Sequence, residues 1–213
     1  MPKQNESKSD LLIILASTSP RRLDLVKQVR LPVIVIAPDA DETPFRGEKP
    51  KQLVQRLSLA KALSAQTMIR NQNRAGFIVA ADTIVVSPQG KKVLGKPANS
   101  TEARKMLKSL SGKTHSVLTG YCILNSQSTS KKEPWVRVVE TKVKMRQLTE
   151  KTITDYISTG EPMDKAGSYG AQGIGGALIE RIEGSFTNVV GLPITEILKD
   201  LEVGFKIKPL SWI

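Results

Sequence analysis

The sequence predicts a mixed α/β fold with a cleft, and two observations support this prediction. In the first third of the chain, short apolar runs alternate with helical patterns, as expected for strands joined by helices. In the middle, two long β-patterned stretches, Thr114 to Leu124 and Trp135 to Met145, flank a polar loop typical of a hairpin tip. At 213 residues, the chain can form one well-buried core or two small lobes around a cleft.

The first elements are a strand, a hydroxyl-rich turn and a helix. The apolar run from Leu11 to Leu15 predicts the strand, and residues 17–19 supply hydroxyls that could cap the first helical turn. Pro20 suits the first helical position because it has no N–H donor to lose there. A β-branched run at 33–37 and an acidic turn at 39–43 follow, and the apolar spacing after Pro50 predicts a long helix.

The remaining elements continue this alternation. Phe77 to Val86 predicts a buried strand that places Asp82 in an apolar setting, and a turn at 88–90 returns the chain as a short hairpin. Asn99 and Thr149 are predicted helix caps. Five glycines within residues 167–176 predict a loop that lets the backbone approach a ligand closely, and a strand at 177–182 and a helix after Pro193 complete the fold.

One domain is predicted for residues 11–203, preceded by a disordered lead-in at 1–10 and followed by a C-terminal tail at 204–213. The polar first ten residues lack the apolar region of a secretory signal, so we expect a cytoplasmic protein. No apolar run approaches the roughly 18 residues that span a bilayer, so no membrane association is expected.

Composition narrows the function classes. The net charge of +12 indicates an anionic partner, but the basic residues are scattered and aromatic residues make up only 4% of the chain. No stacking platform for nucleic acid is therefore expected, and a small anion such as a nucleotide fits equally well. The single histidine, His115, excludes triads and clustered histidine metal sites, and the single cysteine, Cys122, excludes an internal disulfide.

Arg21 and Arg22 lie in the first turn of the predicted helix, where the helix dipole repels cations. A bound anion would resolve this conflict, because backbone N–H groups, the Ser17 hydroxyl and two guanidinium groups would converge on it. The segment therefore indicates a phosphate site. The alternative is a capped helix with two exposed arginines.

Other charged residues also fall at the ends of predicted elements, and the set indicates a site for a polyphosphate and a divalent metal. Mg²⁺ prefers oxygen ligands and usually takes one or two protein carboxylates, so Glu42 and Asp82 are its candidate ligands. Asp82 could instead activate water, or it could be a structural residue of its turn, and Glu42 could be an exposed loop acid. The further cations and acid of this set are Lys61, Lys96, Asp164 and Lys165.

Seven motifs together resemble the Maf family of nucleotide pyrophosphatases, also called the septum-formation-protein family, from about Leu12 to Leu201. Any one of them is worth little alone, but their order and spacing also match. The motifs are Leu15-Ala-Ser-Thr-Ser-Pro-Arg-Arg22, Ala81-Asp-Thr83, Gly95-Lys-Pro97, Leu110-Ser-Gly112, Glu161-Pro-Met-Asp-Lys-Ala-Gly167, Tyr169-Gly-Ala-Gln-Gly173 and Val190-Gly-Leu-Pro193.

The resemblance implies an inosine-triphosphatase-like fold, with an elongated mixed sheet and two lobes around a central cleft. It implies hydrolysis of a nucleoside triphosphate between the α and β phosphates, assisted by Mg²⁺ or another divalent cation such as Mn²⁺, in a homodimer. Asp82 would be the proton acceptor, and the active site would also contain Ser17, Arg21, Arg22, Glu42, Lys61, Lys96 and Gln172. Glu42 and Lys61 lie outside the tight motifs and are assigned by spacing.

The resemblance also implies which nucleotide base the enzyme accepts. The subgroup that acts on dTTP and UTP carries the residues found here as Arg22, Thr83 and Gln172, and a glutamine amide can pair with a pyrimidine edge. CTP and modified uridine nucleotides are further candidate substrates, and removal of unwanted nucleotides would be the role. The alternatives are the 7-methylguanosine triphosphate subgroup and a non-catalytic nucleic-acid-binding or cell-division regulator.

Overall fold

The computed structural model describes residues 11–72, 74–90, 92–129 and 134–207. Seven strands form one sheet: β1 (Ile13–Ala16), β2 (Val33–Ile36), β3 (Phe77–Val86), β4 (Val93–Leu94), β5 (Thr114–Asn125), β6 (Trp135–Met145) and β7 (Ile179–Glu183). The α-helices are α1 (Pro20–Gln28), α2 (Pro50–Ile69), α3 (Ser100–Leu110), α4 (Glu150–Ser158), α5 (Phe186–Val190) and α6 (Ile194–Phe205). Short 3-10 turns lie at Glu161–Asp164, Ala166–Ser168 and Ile174–Leu178.

The sheet is mixed, which confirms the predicted fold class. The strand order is β2-β1-β3-β5-β6-β7, and β4 pairs with β3 outside this path. β1 runs parallel to β2 and β3, whereas the pairs formed by β3 with β5, β5 with β6 and β6 with β7 are antiparallel. The long strand β3 therefore joins the parallel part of the sheet, β2 and β1, to the antiparallel part, β5 to β7.

Each face of the sheet carries its own helices because side chains alternate along a strand. Ile13, Val79 and Tyr121 pack with α1 and α6, and Val85 and Val117, further along the same face, pack with α3 and α4. The opposite face packs against α2. The core is thus divided into several clusters along one elongated sheet.

Helix α2 lies unusually close to the sheet at Gly120 of β5. A Cβ atom at this position would stand 2.2 Å from the carbonyl oxygen of Val54 in α2, so only a glycine allows this approach. The close contact sets the height of α2 above the sheet. It therefore also sets the position of the Lys61 side chain, one of the predicted site residues.

A gap in one edge of β3 provides the place for a site. One edge of β3 pairs with β5 along its whole length, whereas the other pairs with β1 at Phe77 to Ala80 and with β4 at Val85 and Val86. Within the described residues, no strand covers that edge from Ala81 to Ile84. Asp82 and Thr83 therefore lie where β1 ends and α1 begins.

The structure confirms most of the predicted elements and corrects some details. Asn99 and Thr149 cap α3 and α4, as expected. The hydroxyl caps predicted for α1 are wrong: Ser19 makes no side-chain cap, and the Ser17 hydroxyl accepts a hydrogen bond from the Ser19 N–H at 3.2 Å. The strand predicted at 177–182 starts later, at Ile179.

Both ends of the chain include residues outside the described part. The predicted lead-in at 1–10 lies there entirely, as do residues 208–213 of the predicted tail. Helix α6 continues to Phe205, so the first two residues of that tail are helical. None of the helices in the described ranges combines the length and apolar character needed to cross a membrane.

Candidate active site

One cavity of about 440 Å³ opens at the gap in the β3 edge, a volume within the range of small-molecule sites. Its walls come from the turn after β1, the start of α1, helix α2, strand β3 and the glycine-rich segment. Every site residue proposed from the sequence lines it: Ser17, Arg21, Arg22, Glu42, Lys61, Asp82, Thr83, Lys96, Asp164, Lys165 and Gln172. Residues that are far apart in the chain therefore meet in one space.

Two carboxylates converge on one ammonium group at the α2 side of the cavity. Lys61 Nζ lies 2.6 Å from Asp82 Oδ1 and 2.8 Å from Glu42 Oε1. The side chains of Lys61 and Asp82 are only 9% and 11% exposed, whereas that of Glu42 is 62% exposed. Lys61 thus compensates the buried charge of Asp82, and Glu42 completes the cluster from the solvent side.

This cluster fits a divalent cation by the chemistry of its oxygen donors. Asp82 and Glu42 present carboxylate oxygens to the same point, and Lys61 already places a positive charge there. Mg²⁺ commonly binds one or two carboxylates and completes its shell with water and phosphate oxygens. Within the described residues, no group of three or more histidine, cysteine, aspartate or glutamate side chains could hold a metal ion. Substrate phosphates and water would supply the remaining ligands.

Arg22 is held inside the protein rather than projecting freely into the cavity. Its Nε donates to the carbonyl oxygen of Gly191 at 2.8 Å, and its two terminal nitrogens donate to Ser17 Oγ at 3.1 Å and Thr83 Oγ1 at 3.2 Å. Burial lowers the pKa of Arg22 from its ordinary value, and nearby Asp82 opposes this shift. Arg22 therefore ties α1 to β3 and to the turn after α5.

The two arginines at the start of α1 have different surroundings. Arg21 donates to Asp164 Oδ2 at 3.2 Å, across the cavity mouth, and lacks the enclosure of Arg22. Asp164 Oδ1 lies 2.6 Å from Lys165 Nζ, so one carboxylate bridges two cations. Hydrogen bonds from Lys165 and then Arg21 hold the pKa of Asp164 below its ordinary value, although burial opposes them.

Lys96 and Gln172 both line the cavity and are exposed. Lys96 follows Gly95, whose carbonyl oxygen accepts a hydrogen bond from the Gly167 N–H at 3.0 Å. Gly167 has a φ of +70°, and a Cβ there would stand 3.0 Å from Val85. The motif that contains Lys96 is therefore joined to the motif that ends at Gly167 through a position that requires glycine.

Sequence reasoning missed the residues that hold the glycine-rich segment. Glu161 Oε1 accepts hydrogen bonds from Tyr156 Oη and the Gly175 N–H, both at 2.9 Å, and Oε2 accepts from the Ile174 N–H at 2.9 Å. Tyr156 Oη also accepts from the Gly170 N–H at 3.2 Å. An acid three residues before Asp164 in the same motif was the available signal. Glu161 anchors the loop that carries Gln172.

A buried pair supports the cavity wall. His115 Nε2 lies 2.7 Å from the hydroxyl of Tyr169, which lines the cavity. Burial lowers the pKa of His115 to about 4 and raises that of Tyr169. His115 is therefore neutral near pH 7.

Residues 12–203 match the model of a family described as Maf-like protein. The chain belongs to the Maf family. A relative named dTTP/UTP pyrophosphatase from Shewanella sp. (strain MR-7) is 43% identical over 189 residues, which cover 86% of this chain and 93% of the relative. A relative of the same name from Pyrococcus furiosus is 44% identical over 200 residues, or 92% of this chain and 97% of the relative. The Maf resemblance seen in the seven motifs is thereby confirmed.

The solved structures that this Maf protein resembles are more distant. A Ham1 protein from Staphylococcus aureus aligns with a TM-score of 0.43 and 15% identity, and the alignment covers 63% of this chain and 71% of that one. A likeness of this strength carries no weight for function. The functional assignment therefore depends on the Maf relatives and on the cavity.

Proposed function

We propose that this Maf protein hydrolyses dTTP and UTP to the nucleoside monophosphate and pyrophosphate. The observation that supports this most is that five cations and three carboxylates line one cavity at the open edge of β3: Arg21, Arg22, Lys61, Lys96, Lys165, Glu42, Asp82 and Asp164. A triphosphate carries several negative charges, and charged donors bind phosphate oxygens strongly. The relatives named dTTP/UTP pyrophosphatase support the same substrate class.

The mouth of the cavity is the proposed phosphate-binding part. Arg21 and Lys165 share Asp164, and the exposed Lys96 lines the same cavity, so phosphate oxygens could replace the Asp164 carboxylate as the partner of these cations. The start of α1 adds free backbone N–H groups because Ser19 makes no side-chain cap. Arg22 would act mainly by holding Ser17 and the Gly191 turn in place.

The cluster of Asp82, Lys61 and Glu42 is the proposed reaction site. A bound Mg²⁺ or Mn²⁺ would neutralise phosphate charge and polarise the bond that breaks. Asp82, fixed at 2.6 Å from Lys61, would either take the proton of the attacking water or hold the cation, and Glu42 would hold the cation from the solvent side. Water adds across the α–β phosphoanhydride, and one proton is released.

Base recognition is proposed for the glycine-rich segment. Gln172 is exposed in the cavity, and its amide offers the donor and acceptor that a uracil or thymine edge requires. Thr83 Oγ1 lies 2.9 Å from Thr119 Oγ1 and accepts from Arg22, so Thr83 and Arg22 would influence the base through the shape of the wall. We further propose a cytoplasmic homodimer that removes unwanted nucleotides where they are made and used.

The test is pyrophosphate release from dTTP, UTP, CTP, 7-methylguanosine triphosphate and GTP, each with Mg²⁺, with Mn²⁺ and with a chelator. We expect the highest kcat/KM for dTTP and UTP and strong dependence on the divalent ion. A preference for 7-methylguanosine triphosphate would replace the pyrimidine assignment, and no release from any substrate would refute the enzyme. Sedimentation of the purified protein would test the homodimer.

A further inference from the structure

The segment between β2 and α2 runs back along one face of α2. At one end, the Asp39 N–H donates to Ser64 Oγ at 2.9 Å. In the middle, Glu42 Oε1 meets Lys61 Nζ at 2.8 Å. At the other end, residues 43–48 meet Arg56. The order of contacts along the segment is therefore the reverse of their order along α2.

Arg56 makes the most extensive of these contacts. Its Nε lies 2.7 Å from Glu48 Oε1, and one terminal nitrogen lies 2.8 Å from Glu48 Oε2, so the ion pair is bidentate. The same nitrogen donates to the Thr43 carbonyl oxygen at 3.0 Å, directly after Glu42 in the chain. The Phe45 ring lies 3.9 Å from the guanidinium carbon. One side chain thus holds three positions of the segment.

Glu48 and Phe45, which both contact Arg56, also contact each other. Glu48 Oε2 also accepts the Phe45 N–H at 3.0 Å, and the Glu48 side chain is only 8% exposed. The hydrogen bond from Arg56 lowers the pKa of Glu48, although burial opposes it, so this carboxylate stays charged near neutral pH. Planar bidentate pairs fix orientation as well as distance. The anchor is therefore a defined geometry rather than a mobile surface contact.

Neither Arg56, Phe45 nor Glu48 lines the cavity, so none of them is placed to touch a substrate. Glu42 does line it, but its carboxylate is 62% exposed and enters from a segment without regular secondary structure. The position of that carboxylate consequently depends on what holds the segment against α2. Arg56 lies one and a half helical turns before Lys61, the residue that receives Glu42.

We propose that Arg56 is a positioning residue that clamps segment 39–48 onto α2 and thereby keeps the Glu42 carboxylate beside Lys61 and Asp82. This inference rests on the proposed function, because it takes Glu42 as a ligand of the divalent cation. Residues that orient metal ligands from outside the site typically change metal affinity about 10- to 100-fold when replaced.

The experiment compares Arg56→Gln, Arg56→Lys, Glu42→Gln and the double variant Arg56→Gln with Glu42→Gln. Arg104→Gln is the matched control, because Arg104 also pairs with a carboxylate, that of Glu150, but lies outside the cavity. Mn²⁺ affinity is measured by electron paramagnetic resonance in the presence of a non-hydrolysable UTP analogue. Hydrogen exchange of residues 39–48 and the Mg²⁺ dependence of kcat/KM complete the set.

We expect Arg56→Gln to weaken Mn²⁺ binding about 10-fold and to accelerate hydrogen exchange in residues 39–48. Arg56→Lys should recover only part of the loss, because lysine cannot form the bidentate pair. The double variant should bind Mn²⁺ no more weakly than Glu42→Gln, since Arg56 acts through Glu42. Arg104→Gln should match the wild type in all three measurements.

These measurements distinguish a failure of the Arg56 proposal from a failure of the proposed function of Glu42. Additive losses in the double variant, or unchanged exchange in Arg56→Gln, would overturn the role of Arg56 while leaving Glu42 as a ligand. Unchanged Mn²⁺ affinity in Glu42→Gln would instead refute Glu42 as a ligand, and with it the reason for the clamp. The exchange data would still report whether Arg56 holds the segment.

Discussion

Replacement of Asp82 by asparagine should affect folding stability and turnover to different extents. Asp82 and Lys61 form an ion pair at 2.6 Å with both side chains about nine-tenths buried. Loss of one partner from such a pair costs about 3–5 kcal/mol, because the other charge stays buried. Here Glu42 remains 2.8 Å from the ammonium group, so we expect a loss of about 3 kcal/mol or less.

The effect on turnover should be larger than the effect on folding. Asp82→Asn keeps the shape of the side chain but removes the negative charge that would accept a proton or hold the cation. Loss of a general base typically lowers the rate about 10²- to 10⁴-fold, or about 2.7–5.4 kcal/mol of activation free energy. The melting temperature should fall by about 12 °C or less, since each kcal/mol corresponds to about 2–4 °C at this chain length.

The control is Asp200→Asn, which removes another buried aspartate that lies outside the cavity. Asp200 Oδ2 lies 3.1 Å from Arg137 Nε and accepts from Trp135 Nε1 at 2.8 Å. This variant should lose stability but keep kcat at 25 °C. Thermal unfolding and pyrophosphate release would be measured on both proteins. A folded Asp82→Asn protein with kcat within about 3-fold of the wild type would refute both roles of Asp82.

Three further predictions concern the base, the pH dependence and the packing of α2. Gln172→Glu should lower kcat/KM for UTP and dTTP relative to 7-methylguanosine triphosphate by about 1–3 kcal/mol, because an amide donor is lost; an unchanged ranking would mean that Gln172 does not read the base. Burial lowers the pKa of His115 from 6.5 to about 4 in the folded protein, so the unfolded chain binds more protons between these two pH values. The free energy of unfolding should therefore fall as the pH falls through this window, by at most about 3 kcal/mol. Urea unfolding of His115→Gln should show a flatter profile from pH 6.5 to 5, and an identical profile would contradict the assigned cause. Gly120→Ala should lower the free energy of unfolding by about 1–3 kcal/mol, as overpacking typically does, because its Cβ would stand 2.2 Å from a backbone oxygen. A near-normal melting temperature would show that α2 can move away.

Local signals in the sequence were sufficient for most of the fold. The cap residues Asn99 and Thr149, the Pro20 start and the long apolar strands predicted elements that the structure contains, since each depends on residues close together in the chain. Helix α5 was missed because its five residues lie within a turn-rich segment after Gly184. The 3-10 turns were missed because glycines conceal any periodicity there.

The sequence also predicted which residues belong to the candidate site, but it did not predict which of them contact one another. The motifs identified Arg21, Arg22 and Asp82 as residues of one site, and all of them line the cavity. The sequence did not show that Arg22 donates hydrogen bonds to Gly191 and Thr83, which are more than 60 positions away in the chain. Partners at such separations leave no local pattern.

The sequence by itself determined the fold class, the family and the set of chemical groups in the cavity, because apolar periodicity, caps and motif spacing are properties of neighbouring residues. Only the tertiary structure decided which charges compensate one another. Lys61 lies on a helix whose local pattern predicts nothing about burial of an ammonium group, yet the close approach of α2 at Gly120 brings it to Asp82. The Glu42 carboxylate reaches the same point from a segment that lies along α2, where Arg56 and Lys61 contact it. Electrostatic roles depend on distance in space, and the folded sheet and helices set that distance.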